Sequence, residues 1–156
     1  RMEQIKLDAA SSRILRELQR DSRQTVQELS AKVGLSVSPC WRRVKELEAT
    51  GVVRRYTALV EREKVGLSAC ILAQVSLLRQ TEGAAEQFES AMHACAEVIE
   101  CYSVTGDADY VIKVVLPDVK AYDAFLRRVV FMIKDIGTLR SMVVLREVKY
   151  ETALPV

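Results

Sequence analysis

The stretch from Thr25 to Gly51, TVQELSAKVGLSVSPCWRRVKELEATG, limits what this chain can become more than any other. Thr25 can cap a helix whose third residue on, Glu28, returns the hydrogen bond and completes a capping box. Leu29 and Val33 fall on one face of that helix, and Gly34 follows where a left-handed terminating residue is wanted. A further helix is expected with Ser38 as N-cap, Pro39 in its first turn and Gly51 as its stop. Within it Cys40, Val44 and Leu47 recur at i, i+4 and i+7 and predict a buried stripe, with Trp41, Arg42 and Lys45 off that stripe. Upstream, Ile14, Leu15 and Leu18 repeat at helical spacing between charges and predict a first helix from Ala9 to about Arg20.

Two helices joined by a short glycine-containing turn, the second of them basic near its start, spell a helix-turn-helix. Such a helix enters the major groove of a DNA duplex. Arg42, Arg43 and Lys45 would then reach base edges or phosphates, with Ser36, Ser38 and Pro39 at the leading end. A bidentate arginine–guanine contact discriminates by about 1–3 kcal/mol, whereas a phosphate contact adds affinity without sequence information. Trp41 could wall the DNA sugars or anchor the core, and packing is the expectation. Arg54 and Arg55, in the extended VVRRYTALV, are candidate phosphate contacts.

Charge distribution points the same way. Residues 1–65 carry 14 Lys+Arg against 9 Asp+Glu, and residues 66–156 carry 9 against 12, within a net charge of +2. A basic first half joined to an acidic second half suggests a polyanion-binding module coupled to a different task. The rest of the composition mainly excludes. Four cysteines without a C-x-x-C pair, set in apolar stretches, predict buried free thiols rather than disulfides or zinc, and a reducing, cytoplasmic setting. One histidine, His93, leaves little for metal-hydrolase or Ser-His-Asp chemistry, so neither metal nor cofactor is expected. No apolar run reaches the roughly 18 residues of a membrane span, and no signal peptide is expected. Arg1, ahead of Met2, reads as a leftover of cloning.

The second half alternates between two periodicities. ACILAQVSLL, VIECYSV, YVIKVVL and SMVVLREVKY read as strands. GAAEQFESAMHACA reads as a helix, and so does the run PDVKAYDAFLRRVVFMIKDIG, capped by Asp118 with Val119, Tyr122, Leu126, Val129 and Ile133 on one face. The order βαββαβ predicts an α+β, ferredoxin-like domain with helices on one sheet face. Since Val111 to Leu116 is apolar on both sides, the other face also needs a cover, and a second copy of the sheet is the economical one. Expected boundaries are 2–52 for a helix-turn-helix (winged-helix-like) domain, 53–68 for a linker and 69–156 for the ferredoxin-like domain.

Between the second and third strands lies VTGDADY, with Asp107 and Asp109 two residues apart. Catalysis would need carboxylates in unequal environments and a third group, and a hard cation would need several more oxygens. A plain hairpin turn, with Gly106 at positive φ, is a second reading. The third is a loop for an amino acid: carboxylates for its ammonium, and approachable backbone N–H groups for its carboxylate.

The chain resembles the Lrp/AsnC regulators (leucine-responsive and asparagine regulators) from about Leu7 to Pro155. The resemblance rests on LDAASSRILRELQRDSR, ELSAKVGLSVSPCWRRVKELEATGVVRRYTALV, VTGDADYVIKV with its G-D-x-D-Y pattern, and VVLREVKYETALP. A serine stands where many members carry a second aspartate near the start of the first helix. CWRRVKELE and YETALP look closest to members sensing branched-chain or sulfur-containing amino acids. The resemblance implies a sequence-specific transcriptional regulator rather than an enzyme. Its partners would be double-stranded DNA with a roughly palindromic operator and a small amino-acid effector, and homodimers would assemble further to an octamer. It places the effector at the Gly106 loop near a subunit interface, with Tyr102, Ser103, Gly106, Asp107, Asp109, Val119 and Met142 as the expected surroundings. Rival readings are a tetrapyrrole decarboxylase-like enzyme on the same two-part framework, which would rely on histidine and arginine in a large pocket, and a nonspecific architectural DNA binder.

Overall fold

A computed structural model describes residues 6–79 and 81–156; Arg1 lies outside them. The described chain forms two compact units: residues up to Leu59 together with Lys149–Val156, and Val60–Val148. The last eight residues, expected with the ferredoxin-like domain, thus group with the first unit.

The first unit holds three helices: α1 (Ala9–Arg20), α2 (Val26–Val33) and α3 (Val37–Ala49). Asp8 caps α1 by accepting from the Ser11 N–H at 2.7 Å. Thr25 and Glu28 form the predicted capping box on α2, with Glu28 Oε2 accepting from the Thr25 N–H at 2.7 Å. Gly34 ends α2 at φ 69° and ψ 41°, the left-handed region that glycine enters without a Cβ penalty. α3 begins two residues before the expected point: Ser36 is its N-cap, Ser38 lies inside the first turn, and Ser36 makes no side-chain cap bond. The preceding loop provides the reason, since Leu35 N–H still closes the α2 terminus on the Ser30 carbonyl and Ser36 is the first extended residue after it. Ile14, Leu15, Leu29, Val33, Cys40 and Leu47 make the core, with Val44 packed against it as the i, i+4, i+7 spacing predicted.

The second unit follows the order β1 (Ala69–Leu77), α4 (Glu82–Ala94), β2 (Val98–Ser103), β3 (Tyr110–Leu116), α5 (Val119–Arg128), β4 (Ile136–Val143). All pairings are antiparallel, in the sheet order β2-β3-β1-β4. This is the predicted βαββαβ arrangement. Ile71, Ala73 and Val75 of β1 and Tyr110, Ile112 and Val114 of β3 point to one face. There they meet Phe88 of α4 and Phe125 of α5 in a single core. Phe88 and Tyr110 stack tilted at 4.5 Å.

The tail of this unit departs from expectation. α5 stops at Arg128, because Val129 turns out of the helix at φ −116° and ψ −62° and a short 3-10 turn, Val130–Met132, takes over. Val129 and Ile133, read as helical by their spacing, still reach the core from that irregular segment. The last strand consequently starts at Ile136 rather than Ser141, in register from Leu77↔Ile136 to Ile71↔Val143. Residues 144–156 form neither helix nor strand.

Candidate DNA-binding helix and effector loop

The buried stripe of α3 fixes which residues it offers outward. Cys40 and Leu47 are sealed in the core, where burial pushes the Cys40 thiol up from its ordinary range. Ser36, Val37, Ser38, Trp41, Arg42 and Lys45 stand on the solvent side, and Pro39 is half-buried. Trp41 is 54% exposed, against the expectation that it packs. One position on from Cys40, it lies about 100° around the helix from the buried stripe.

The basic residues divide by partner. Arg43 donates to Asp8 Oδ2 at 2.6 Å and to Ser11 Oγ at 3.2 Å, which ties α3 to the start of α1. Those bonds, first that from the Ser11 backbone, hold the Asp8 carboxyl down at about 2. Lys45 pairs with Glu48 at 2.7 Å within its own helix. Arg42 has no ion-pair partner among the described residues. Arg54 and Arg55 are likewise exposed and unpaired among the described residues, on an extended segment after α3. Tyr56, beside them, donates to Glu48 Oε1 at 2.9 Å; desolvation and then that carboxylate push its phenol up to about 12. A helix with a cationic and aromatic outer face is suited to a polyanion with stacked bases.

The loop Val104–Asp109 joins β2 to β3 beside the end of β1. Gly106 sits at φ 116°, which only glycine adopts readily. The two aspartates have different positions. Asp109 is half-buried: its Oδ2 accepts from the Leu77 N–H at 2.7 Å, its N–H donates to the Val75 carbonyl at 3.0 Å, and its carbonyl accepts from Val104. It spans the β1 register shift at Ser76/Leu77. Asp107 is exposed, and its carbonyl accepts from Ser76 Oγ at 3.2 Å. The part played by Ser76 and Leu77 escaped sequence reasoning, since nothing local in SLL marks it.

Of the other expected effector residues, Tyr102 and Ser103 end β2 at this loop, with Ser103 opposite Tyr110. The fold does not bring Val119 and Met142 there within one protomer. Val119 follows the far end of β3, seven residues from the loop, or about 20 Å. Met142 lies opposite Leu72 on β4, the other edge strand of the sheet from Tyr102. The thiols are also uneven: Cys40 and Cys70 are buried as expected, but Cys101 is exposed and Cys95 half-buried. Among the described residues no group of three or more His, Cys, Asp or Glu could hold a metal, and no helix is long and apolar enough to cross a membrane.

Comparison with known proteins matches both units. Residues 7–54 fit a winged helix-turn-helix DNA-binding domain, and residues 70–154 fit the Lrp/AsnC ligand binding domain. The leucine-responsive regulatory protein of Klebsiella pneumoniae is 38% identical over 148 residues, covering 95% of this chain and 90% of that protein. The Escherichia coli K12 protein of the same name is 37% identical over the same length and shares. Among solved structures, a Neisseria meningitidis transcriptional regulator in complex with L-Met superposes with a TM-score of 0.91 at 37% identity, covering 96% of this chain and 97% of that one. A Mycobacterium tuberculosis feast or famine regulatory protein complexed with L-methionine gives 0.81 at 33% identity, covering 93% and 96%. With a DNA-binding helix-turn-helix, a ligand-binding α+β domain and these relatives along nearly its full length, the chain belongs to the Lrp/AsnC family of DNA-binding transcriptional regulators with an amino-acid ligand-binding domain.

Proposed function

We propose that α3 is the recognition helix and that Arg42 is its principal base reader. Ser36, Ser38, Pro39 and Trp41 lie along the approaching face, and Lys45, Arg54 and Arg55 contribute phosphate contacts. The observation that carries this reading is the division of the arginines: Arg43 is held at 2.6 Å by Asp8, whereas Arg42 is exposed with no ion-pair partner among the described residues. An operator can be selected from a random duplex pool and binding followed by fluorescence anisotropy. Arg42→Ala is expected to weaken the selected site by roughly 5- to 150-fold, the factor carried by about 1–3 kcal/mol, and to relax its sequence preference. A loss equal on selected and scrambled duplexes would sink the base-reading role.

The effector is proposed to be a small branched-chain or sulfur-containing amino acid, methionine foremost, since two relatives above 30% identity were solved with L-methionine. Its ammonium group is assigned to the Asp107 carboxylate, which faces solvent at the Gly106 loop, while Asp109 holds the loop in place. Val119 and Met142 join the site only if another copy supplies them. The protein is further proposed to act in the cytoplasm by binding alone, as a homodimer that assembles to an octamer. Support for the dimer comes from the sheet face away from the helices, where Leu72, Gln74 and Val111 are half-exposed and Tyr102 and Met142 are about half accessible. Lys113 and Arg140 share that face, and half-open apolar side chains such as Leu72, Val111 and Met142 in the middle of a sheet are usually covered in a working assembly. A thermal-shift screen of the twenty amino acids tests the effector, because a ligand preferring the native state raises the melting point.

A further inference from the structure

Two adjacent residues at the end of β1 grip the loop that carries Asp107, and they grip it at different places. The base of the loop closes where the Val104 N–H donates to the Asp109 carbonyl at 2.9 Å. Beside it the Leu77 N–H donates to Asp109 Oδ2 at 2.7 Å, and the Asp109 N–H donates to the Val75 carbonyl at 3.0 Å. These bonds hold the stem. The tip is reached by a side chain instead: Ser76 Oγ donates to the Asp107 carbonyl at 3.2 Å.

The strand is built to change its task at this point. Ile71, Ala73 and Val75 alternate into the core, so Leu72, Gln74 and Ser76 fall on the other face. Pairing with β4 then slips: Ser76 lies opposite Thr138 but Leu77 lies opposite Ile136, which passes over Gly137. A Cβ on Gly137 would stand 3.1 Å from Leu78 Cδ2, so glycine suits the irregularity. Irregularities of this kind re-aim the groups beside them, and here Ser76 and Leu77 both serve the loop. The tip needs such a hold. Gly106, at φ 116°, has a wide range of backbone states, and a ligand group can be met at a fixed point only if those states are already restricted.

We propose that Ser76 is the positioning residue of the effector site: its hydroxyl holds the Asp107 main chain so that the carboxylate meets the ammonium group of an L-amino acid at a set place. This role rests on the assignment of the effector ammonium to Asp107. It extends to selectivity, because a site tells an amino acid from its mirror image only by three contacts fixed relative to one another. Freeing one of the three lowers the preference for the L form as well as the affinity.

The test titrates the full chain with L-methionine and with D-methionine by calorimetry. Ser76→Ala is expected to weaken L-methionine by roughly 3- to 10-fold, the range carried by one net hydrogen bond, and to lower the ratio of L to D affinity. Ser76→Thr keeps a hydroxyl on Cβ and is expected to restore both. The melting temperature of each variant without ligand should stay within about 2 °C of the parent protein, and its mass in light scattering should not change. Asp107→Ala is titrated alongside. If it binds L-methionine like the parent, or if the parent takes up none, the ammonium assignment is overturned and the role of Ser76 falls with it. If Asp107→Ala loses binding while Ser76→Ala keeps the parent's affinity and ratio, the role of Ser76 alone is overturned. A threonine variant that stays as weak as the alanine one, or a loss of affinity that comes with a changed mass, overturns it equally.

Discussion

Neighbouring arginines on α3 have different surroundings because of where their side chains can reach. Arg43 reaches back to the α1 N-cap and is consumed by Asp8 and Ser11. Arg43→Ala is expected to lower the melting temperature with DNA affinity falling only in step, whereas Arg42→Ala leaves the melting temperature in place and removes affinity. Acid titration reads the same contact. The Asp8 carboxyl is held down to about 2 in the folded chain, so its stabilisation is complete above the ordinary aspartate range. It is lost as the pH falls through about 2, where the folded state finally takes up the proton. Replacing Asp8 by asparagine should flatten that stretch of the stability–pH curve. The two loop aspartates divide in a similar way. Asp109→Ala strands the Leu77 N–H and is expected to cost about 1–3 kcal/mol in denaturant unfolding. Asp107→Ala should leave stability within about 0.5 kcal/mol while abolishing the thermal shift given by the effector.

Elements governed by neighbouring residues are legible in the sequence, and elements governed by distant ones are not. α2 is set by Thr25, Glu28 and Gly34 within ten residues, and each adopts the predicted role. Thr25→Ala is expected to destabilise the chain by about 1 kcal/mol by removing the acceptor for the Glu28 N–H, a loss measurable by urea titration. α5 shows the opposite case. Its apolar spacing runs on through Val129 and Ile133, so periodicity extends the helix past its true end. The constraint that stops it is the pairing of β4 with β1 from Ile136 onward, which no local pattern in KDIGTLRS reveals. Trp41 reads as a core residue only when its aromatic character outweighs its position next to Cys40 on the helix wheel. The candidate site divides along the same line. The Gly106 turn and its two aspartates are readable from their spelling, whereas the distances to Val119 and Met142 follow from the order β2-β3-β1-β4. So does the tie from Asp109 to Leu77, which needs the hairpin placed beside the end of β1.

At the level of the whole molecule, affinity for DNA depends on how many recognition helices act together. The four cations proposed to face DNA, Arg42, Lys45, Arg54 and Arg55, are too few for one copy to hold a duplex tightly at physiological salt, because each phosphate contact is diluted by counterion competition. Joining two copies through the open sheet face turns the second contact into an intramolecular one, which multiplies affinity by roughly a hundred or more where the geometry permits. Leu72 lies near the middle of that face, half-buried opposite Lys113 on β3 and Met142 on β4. Replacing it with aspartate places a charge where a second sheet would have to exclude water. Light scattering of Leu72→Asp is expected to give a single-subunit mass. Its binding to a duplex with two half-sites should fall to the level of a duplex with one, about a hundredfold below the parent protein. The dependence of log affinity on log salt should shallow at the same time, by about 0.9 for every phosphate that the second copy no longer neutralises. A variant that kept its mass and its two-site advantage would show that these helices are paired through some other surface.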